Sequence, residues 1–351
     1  MLEPHASSLC TFTRCTRSGD RVEMASPTVL VTEVEYRKAE PVFAGSAGLN
    51  CTPAPASEDE LAQAVRDRGA RHVVVGIQPY RKALYEALGP GSVIARFGVG
   101  HDGIDKVFAT ARSILCTNTP HVLDQSVAEH TILLIASAAR HLMTVTSEMR
   151  RAQWSPHVGS ELSAKTLVLI GTGPISQAVA KIAAFGYGMQ VVGVARTRRK
   201  IVGFHTVTDD VNEPLASADY VSLHIPATPS NAHYLNAARL ERFPRHAWLI
   251  NTARGAVVDE HALYDALAER RIGGAALDVF EREPYSPIGT THDLRTLPNV
   301  ILTPHVGSST FEANRRMALR ALENIRLAEA RQYDHMDLLN PSETTKSPAT
   351  L

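Results

Sequence analysis

Residues 166–176 read Thr166-Leu-Val-Leu-Ile-Gly-Thr-Gly-Pro-Ile-Ser176, and this stretch decides the fold. Its apolar run predicts a buried strand, and Pro174 suits the first turn of a helix, where the missing N–H is not needed. Between them, Gly171 allows a tight turn, and Gly173 lets a ligand approach the backbone at the positive end of the helix. Ser176 stands where the G-x-G-x-x-G pattern has its third glycine. A strand, a glycine turn and a helix in this order predict a dinucleotide-binding unit.

Short apolar runs alternate with amphipathic stretches on both sides of this unit. Strands are predicted at Val29–Thr32, Val73–Gly76, Ser92–Arg96, Ile114–Thr117, Gln190–Val194, Tyr220–His224, Ala247–Asn251, Ala275–Phe280 and Val300–Thr303. Helices are predicted at 58–67, 81–88, 126–142, 174–185, 260–268 and 310–329. This alternation is typical of an α/β protein with parallel sheets, and a length of 351 residues suggests two domains.

The strand that follows the glycine turn and its helix indicates which nucleotide binds. It ends at Ala195 and is followed by Arg196-Thr-Arg-Arg-Lys200, with no carboxylate. An Asp or Glu at this place binds the ribose 2′-hydroxyl of NAD(H), whereas guanidinium groups bind a 2′-phosphate. The sequence therefore favours NADP(H), with NAD(H) as an alternative, and Ala195, Arg196, Thr197 and Arg198 are the expected contacts. The other interpretation of this segment is a solvated turn rich in arginine.

Three polar residues, Arg254, Glu283 and His305, each follow an apolar strand. Because the carboxyl ends of parallel strands meet at one edge of a sheet, we expect these side chains to share a crevice. A guanidinium can bind a carboxylate and polarise a carbonyl, and an imidazole can exchange a proton near neutral pH. A carboxylate can orient that imidazole and favour its charged form. Each residue alone has an ordinary structural explanation, but together they predict chemistry on a 2-oxo or 2-hydroxy acid.

The composition excludes several classes of function. The 36 Lys and Arg residues balance 36 Asp and Glu residues, so the chain lacks the positive charge that nucleic-acid binding uses. No apolar run reaches the roughly 20 residues that span a bilayer, so no membrane partner is expected. The cysteines Cys10, Cys15, Cys51 and Cys116 are too sparse for a disulfide scaffold and have no metal-ligand spacing, so no metal is expected. We expect a cytoplasmic protein without a secretory signal.

Four segments resemble those of a known family. They are Phe97-Gly-Val-Gly-His-Asp-Gly-Ile-Asp105, Asn251-Thr-Ala-Arg-Gly255, Leu277-Asp-Val-Phe-Glu-Arg-Glu-Pro284 and Leu302-Thr-Pro-His-Val-Gly-Ser308. Together they closely resemble the D-isomer-specific 2-hydroxyacid dehydrogenases, in particular the glyoxylate and hydroxypyruvate reductases. The resemblance covers roughly residues 28–335.

The resemblance implies two Rossmann-like domains with parallel sheets. A dinucleotide-binding domain, 122–305, is expected to be inserted into a flavodoxin-like substrate domain built from 28–121 and 306–338. Residues 1–27 are then a flexible extension and 339–351 a flexible tail. The apolar helix that begins near Ser126 is either a core helix or, as in the family, part of a homodimer contact, and the resemblance favours the homodimer.

The resemblance also assigns roles to residues. It implies that Arg254, Glu283 and His305 are catalytic. The glycine turn, the end of the following strand and the resemblance together give the expected cofactor contacts. These are Gly171, Gly173, Pro174, Ile175, Ala195, Arg196, Thr197, Arg198, Thr252, Ala253, Asp278, Gly307 and Ser308. The substrate contacts it implies are Gly76, Ile77, Val99, Gly100, Arg254 and His305.

The expected function is hydride transfer between NADP(H), or NAD(H), and a 2-oxo acid and D-2-hydroxy acid pair. Two alternatives stay open at this point. The same cation and base could serve a dehydrogenase that acts on phosphite or on a phosphorylated hydroxy acid. A protein that senses nucleotides and acts as a co-repressor without catalysis could also keep these residues.

Overall fold

Two parallel sheets organise the protein, and the computed structural model describes residues 26–289 and 291–341. The strands of the first sheet are β1 (Thr28–Thr32), β2 (Asn50–Ala54), β3 (His72–Val75), β4 (Val93–Arg96) and β5 (Leu115–Thr117). The strands of the second sheet are β6 (Thr166–Ile170), β7 (Gln190–Val194), β8 (Thr206–Thr208), β9 (Tyr220–Leu223), β10 (Trp248–Asn251), β11 (Gly274–Leu277) and β12 (Val300–Leu302).

The helices connect successive strands. They are α1 (Glu33–Lys38), α2 (Glu40–Ala44), α3 (Glu58–Arg68), α4 (Ala83–Ala87), α5 (Lys106–Ala111), α6 (Asp124–Ala139), α7 (Leu142–Arg150), α8 (Pro174–Lys181), α9 (Asn212–Ser217), α10 (Ala237–Leu240), α11 (Glu260–Ala268) and α12 (Phe311–Glu329). The helix predicted over 174–185 is α8 followed by a π-helical turn, Ile182–Gly186. No helix within the described ranges is both long and apolar enough to cross a membrane.

All strand pairs within the two sheets are parallel, which confirms the predicted α/β fold class. The first sheet has the order β2-β1-β3-β4-β5, and the second has the order β12-β11-β10-β9-β6-β7-β8. In the second sheet, β7 and β8 are added on one side of β6, and β9 to β12 are added on its other side, so the strand order reverses between β6 and β9. Such a reversal opens a crevice at the carboxyl ends of the strands, where doubly wound sheets bind ligands.

The chain leaves the first sheet after β5, builds the whole second sheet, and returns as α12. The apolar face of α12, including Met317 and Ile325, lies in one core with Val31, Val74 and Ala95 of the first sheet. One domain is therefore inserted into the other, as expected. The exact boundaries at residues 121/122 and 305/306 stay predictions.

Helix α6 is buried within its own chain. Its first turn, at Val127, belongs to the core of the first domain, whereas Ile132 and Ile135 belong to a core of the second sheet. Leu133 is exposed. This packing accounts for apolar residues on more than one face and fits the core-helix alternative.

The flexible tail predicted from residue 339 is wrong at its first two residues. The Leu339 N–H donates to the Cys116 carbonyl at 2.9 Å, and the Asn340 side chain accepts from the Cys116 N–H at 2.8 Å and donates to the Ile114 carbonyl at 2.9 Å. The chain therefore continues along β5 because Asn340 completes that edge of the sheet. Residues 1–25 of the predicted extension 1–27, and residues 342–351 of the predicted tail 339–351, lie outside the described residues.

Candidate active site

A cleft of about 250 Å³ lies between the two domains, at the carboxyl ends of the strands. Six of the predicted residues line it together: Gly76, Ile77, Gly100, Arg254, Glu283 and His305. Val99 is not part of this lining. Its side chain packs against the first domain's core and its carbonyl accepts from the Asn118 amide at 2.8 Å, so only its backbone N–H is left for a ligand.

The loop after β10 carries Arg254 and is held by the last residue of the strand. The Asn251 side chain accepts from the Ala253 N–H at 3.0 Å and donates to the Arg254 carbonyl at 2.9 Å. At Gly255 an added Cβ would lie 1.8 Å from the carbonyl carbon of Phe280, so only glycine fits between the two loops. These contacts fix the direction in which Arg254 leaves the sheet.

The Arg254 guanidinium crosses from the second domain to the first. Its Nε donates to Asp102 Oδ1 at 3.0 Å, and Nη1 donates to the Ala253 carbonyl at 2.7 Å. At Gly100 an added Cβ would lie 1.1 Å from Nη2, so this guanidinium needs a glycine there. Burial raises the pKa of Asp102, but the charge and hydrogen bond of Arg254 outweigh it and leave that pKa below its ordinary value. Arg254 is thus placed beside Gly100, one of the predicted substrate contacts.

His305 and Glu283 form a close pair. The His305 Nδ1 lies 2.6 Å from Glu283 Oε2, and the other carboxylate oxygen accepts from the Phe280 N–H at 3.0 Å. With Nδ1 engaged, the Nε2 atom of His305 makes no hydrogen bond to any described residue. The carboxylate fixes the ring, so Nε2 is the nitrogen available to a substrate.

The backbone at His305 is unusual, with a φ of +55°. Residues other than glycine adopt this left-handed conformation infrequently, histidine more often than most, and residues held in it cluster at functional sites. The His305 N–H donates to the carbonyl of Asp278 at 2.8 Å. The neighbouring strand end therefore helps to hold this conformation.

Asp278 organises the loop around His305. Its buried carboxylate accepts from the N–H groups of Val306 and Gly307 at 2.9 and 2.8 Å and from the Thr303 hydroxyl at 2.6 Å, and His130 lies 3.4 Å away. Burial raises the pKa of Asp278. The hydrogen bonds with His130, Thr303 and the two N–H groups together lower that pKa by more, so it lies below the ordinary value. Both oxygens are engaged with the protein, so Asp278 holds the loop that carries His305.

The glycine turn between β6 and α8 has the conformation its sequence predicts. Gly171 has a φ of +100°, and an added Cβ would lie 2.4 Å from the His224 carbonyl oxygen. The buried Ser176 hydroxyl donates back to the Gly171 carbonyl at 2.6 Å, so a serine replaces the third glycine and braces the turn. The space in front of Gly173 is open, and Pro174 starts α8 directly behind it. An exposed helix N-terminus with free space in front fits the pyrophosphate of a dinucleotide.

The strand end that was predicted to read the ribose is exposed. Residues 196–200 are all exposed, and the Arg198 guanidinium forms two hydrogen bonds to Asp209 Oδ1, at 2.8 and 2.5 Å. Hydrogen bonding from Arg198 lowers the pKa of Asp209. Arg196 has no hydrogen bond or ion pair with the described residues. Of the two arginines predicted to contact the ribose, Arg198 is thus paired with a carboxylate and Arg196 is not paired with any described residue.

The remaining predicted cofactor residues lie on the loops next to Arg254 and His305. The Thr252 hydroxyl is 2.9 Å from that of Thr131 on α6, and the Gly307 carbonyl accepts from the Ser126 hydroxyl at 2.9 Å. Ser308 follows on the same loop, and Ile175 on α8 packs against the core of the first domain. Helix α6 therefore anchors both loops of the crevice.

Comparison with known proteins identifies the family. The family model described as "D-isomer specific 2-hydroxyacid dehydrogenase, NAD binding domain" matches residues 132–307. The chain belongs to this dehydrogenase family. A glyoxylate reductase of Thermococcus litoralis is 38% identical over 280 residues, which cover 76% of this chain and 82% of the relative.

Two solved structures of relatives are similar to this dehydrogenase over nearly their whole length. The NADPH-dependent glyoxylate/hydroxypyruvate reductase of Sinorhizobium meliloti, in complex with NADP and malonate, has a TM-score of 0.75 and 30% identity, over 92% of this chain and 98% of that one. The D-lactate dehydrogenase of Aquifex aeolicus, complexed with NAD and lactic acid, has a TM-score of 0.78 and 25% identity, over 90% and 100%. The dehydrogenase is therefore an oxidoreductase that acts on CH–OH groups with NAD(P).

Three functional residues of the dehydrogenase were not predicted from its sequence. Asp102 and Asn251 lie inside segments that carried the family resemblance, but nothing in one sequence shows that they hold Arg254. Asp209 follows β8, a short edge strand whose sequence has no marked apolar run. The signal that could have pointed to Asp209 was its position directly after the strand next to β7, where a carboxylate can reach the arginines that follow β7.

Proposed function

We propose that this dehydrogenase reduces a short 2-oxo acid to the D-2-hydroxy acid with NADPH. The observation that carries the proposal is the joint presence of Arg254 and the His305–Glu283 pair in one cleft of about 250 Å³. A cavity of this size suits a small organic acid better than a large aromatic one.

The residues of the cleft divide the reaction between them. Arg254 binds the substrate carboxylate and polarises the adjacent carbonyl, while Asp102 keeps its guanidinium in position. When NADPH is bound, its nicotinamide supplies the hydride that reaches the carbonyl carbon. His305, as imidazolium, donates the Nε2 proton to the carbonyl oxygen and becomes neutral. Glu283 holds the ring through Nδ1 and faces the imidazolium before the transfer. In the reverse direction neutral His305 accepts the proton from the hydroxyl.

The preference for NADPH rests on Arg196. Its guanidinium is exposed at the end of β7, and the described residues offer it no ion pair. A 2′-phosphate at this strand end would give it a charge-assisted contact, whereas Arg198 would first have to leave Asp209. The Sinorhizobium meliloti relative is NADPH-dependent, and the Aquifex aeolicus relative was solved with NAD, so both nucleotides occur among similar proteins.

A second substrate class is favoured by Arg96. This arginine lines the same cleft, is only 7% exposed, and has no carboxylate within ion-pair distance among the described residues. Burial, and then the charge of Arg254, lower its pKa to about 10, so it remains a cation at neutral pH. A buried cation opposite Arg254 suits a substrate with a second anionic group, such as a phosphorylated hydroxy acid. No described residue gives comparable support to phosphite or to a co-repressor role.

A panel of substrates tests both candidates. The absorbance of NADPH and NADH would be followed with glyoxylate, hydroxypyruvate, pyruvate and a phosphorylated 2-oxo acid. We expect turnover of the short acids with NADPH above NADH. A preference for the phosphorylated acid that Arg96→Met abolishes would favour the second candidate. Absence of turnover with all four acids and both nucleotides would contradict the proposal.

A homodimer is also part of the proposal. The apolar surface that this chain leaves exposed is concentrated after α6, where Met143 is 56% exposed, Trp154 84% and Val158 94%. Exposed apolar side chains this close together are typical of a protein interface. The predicted cytoplasmic location stays a prediction.

A further inference from the structure

Three metal-binding side chains lie together outside the cleft, between α11 and the loop that follows Glu283. His261 and Asp265 are one turn apart on α11, and His292 reaches them from the loop. One potential ligand atom of each residue lies within 4.8 Å of those of the other two. We propose that these residues form a binding site for a divalent transition metal ion such as Zn²⁺.

The distances within the cluster match those of a coordination shell. Zinc bonds of about 2.0–2.1 Å place neighbouring ligand atoms of a tetrahedral site about 3.3 Å apart. The Nε2 of His292 lies 3.2 Å from Asp265 Oδ1, and the Nδ1 of His261 lies 3.5 Å from Asp265 Oδ2. These two contacts use different oxygens of Asp265, and with one ligand atom from each residue the atoms lie within 4.8 Å of one another, so the side chains must close by up to about 1.5 Å to bind a metal. Three protein ligands leave the fourth position to water.

The surroundings of His292 prepare its Nε2 as a ligand. Its Nδ1 lies 2.9 Å from the Thr291 hydroxyl oxygen. When Nδ1–H donates there, Nε2 presents a lone pair towards the Asp265 carboxylate, and a metal ion between them satisfies both; when the Thr291 hydroxyl donates instead, Nε2–H donates to Asp265. Histidine ligands in metal sites commonly use their second nitrogen in such a bond.

Ring packing holds the two imidazoles side by side. The rings of His261 and His292 stack with centroids 4.1 Å apart and an interplanar angle of 26°, and the Tyr264 ring lies 4.5 Å from that of His292. The stack keeps the two imidazoles next to each other, and the rings must tilt apart for both in-plane lone pairs to reach one metal.

The donor set selects the class of metal. Two imidazoles and one carboxylate suit Zn²⁺, Ni²⁺, Co²⁺ and Cu²⁺, whereas Mg²⁺ and Ca²⁺ prefer oxygen ligands alone. The sequence shows no metal motif because His292 is 27 residues from Asp265 and only the fold brings them together.

A bound metal would join α11 to the loop and stabilise both. The first residue of this helix, Glu260, exchanges backbone-to-side-chain hydrogen bonds of 3.0 and 2.6 Å with Glu281 in the segment that leads to Glu283. The site lies outside the cleft and does not contact His305 or Arg254. We therefore expect metal binding to raise the melting temperature without being needed for hydride transfer.

The experiment uses the full-length protein after treatment with a chelator and its removal. Binding of Zn²⁺ is measured by calorimetry, and Co²⁺ binding by visible absorption. We expect the wild type to bind one more equivalent than either His292→Gln or His261→Gln, and its melting temperature to rise with Zn²⁺ but not with Mg²⁺. Because other histidines and cysteines can also bind Zn²⁺, the result is the difference between wild type and variants.

The matched control is His121→Gln. His121 also faces an aspartate, with Nδ1 3.5 Å from Asp124 Oδ2, but this pair has no third ligand among the described residues. It should leave the stoichiometry and the Zn²⁺-dependent shift unchanged. The melting temperature of each variant in chelator shows whether it is folded and separates loss of the His261–His292 ring stack from loss of the metal. Equal Zn²⁺ stoichiometry and equal shifts in the wild type and in a folded His261 or His292 variant would overturn the proposal.

Discussion

The second sheet has a crevice at each end, and the two differ in size and in chemistry. At the amino ends of its strands a cavity of about 640 Å³ is lined in part by Met143, His246 and Trp248. At the carboxyl ends the cleft of about 250 Å³ is lined by Arg254 and His305. The larger crevice is not the one that holds the catalytic groups, so cavity size alone does not identify the active site.

The difference follows from chain direction. In a parallel sheet every strand ends at the same edge, so the polar loops after β10, β11 and β12 converge there and bring Arg254, Glu283 and His305 together. The opposite edge receives strand starts and lies beside the exposed apolar segment around Trp154. The proposed chemistry therefore belongs to the carboxyl end, and the proposed homodimer contact belongs to the amino end.

The largest expected effect is at the carboxyl end. His305→Gln removes the proton donor and should lower kcat by about 10³-fold, while NADPH binding stays near that of the wild type. The measurement is steady-state turnover together with nucleotide fluorescence.

A matched histidine at the amino end provides the control. His246 also pairs with a carboxylate, Asp219, at 3.3 Å, but at the other edge of the sheet. His246→Gln should keep wild-type turnover. If His305→Gln retained turnover, or His246→Gln lost as much, the assignment of the two ends would be wrong.

The next effect concerns the nucleotide. Arg196→Ala should raise the KM for NADPH by about 10-fold, which corresponds to about 1.4 kcal/mol, and change the KM for NADH little. Arg198→Ala should have a smaller effect because Arg198 is tied to Asp209. The KM values for both nucleotides check this. A larger effect of Arg198 than of Arg196 would mean that the pair with Asp209 opens on binding, and equal effects on NADPH and NADH would mean that the phosphate is not read.

At the amino end the expected change is in assembly rather than in chemistry. Trp154→Ser removes an indole that is 84% exposed and should shift the protein from dimer to monomer, with turnover reduced by less than about 10-fold. Analytical ultracentrifugation measures the change. Phe185→Ser, at an exposed aromatic residue elsewhere on the second domain, is the control and should leave the mass unchanged. A wild type that sediments as a monomer would contradict the homodimer.

The last effect is on stability near the cleft and depends on pH. Burial raises the pKa of Glu260 from its ordinary value of 4.5 to about 7, so the folded chain holds this proton more tightly than the unfolded chain. The contribution to stability is complete below the ordinary value and is lost as the pH rises through about 7. Glu260→Gln should therefore gain about 2 kcal/mol in unfolding free energy relative to the wild type between about pH 5 and pH 8. Denaturant unfolding at several pH values measures this, and the exposed Glu269→Gln should show no such trend.

Much of the fold could be predicted from local sequence. The apolar runs at β6 and β10 are buried strands because their side chains face both layers of helices, and the Gly171 turn follows from its backbone conformation. β2 was missed because Pro53 lies in it and only Cys51 and Ala54 of its five residues are buried. β8 was missed because it is a three-residue edge strand, Thr206–Thr208, with one exposed and two half-buried residues and therefore no apolar run.

The sequence by itself determined the α/β class, the glycine turn and the residue types of the catalytic chemistry, because these depend on local patterns and on what each side chain can do. Only the tertiary structure decided which partners hold those residues. Asp102 reaches Arg254 across 152 positions, and Asp278 binds the loop of His305 across more than 25. Such contacts depend on how two domains and several strand ends meet in space, and a single sequence does not record that arrangement.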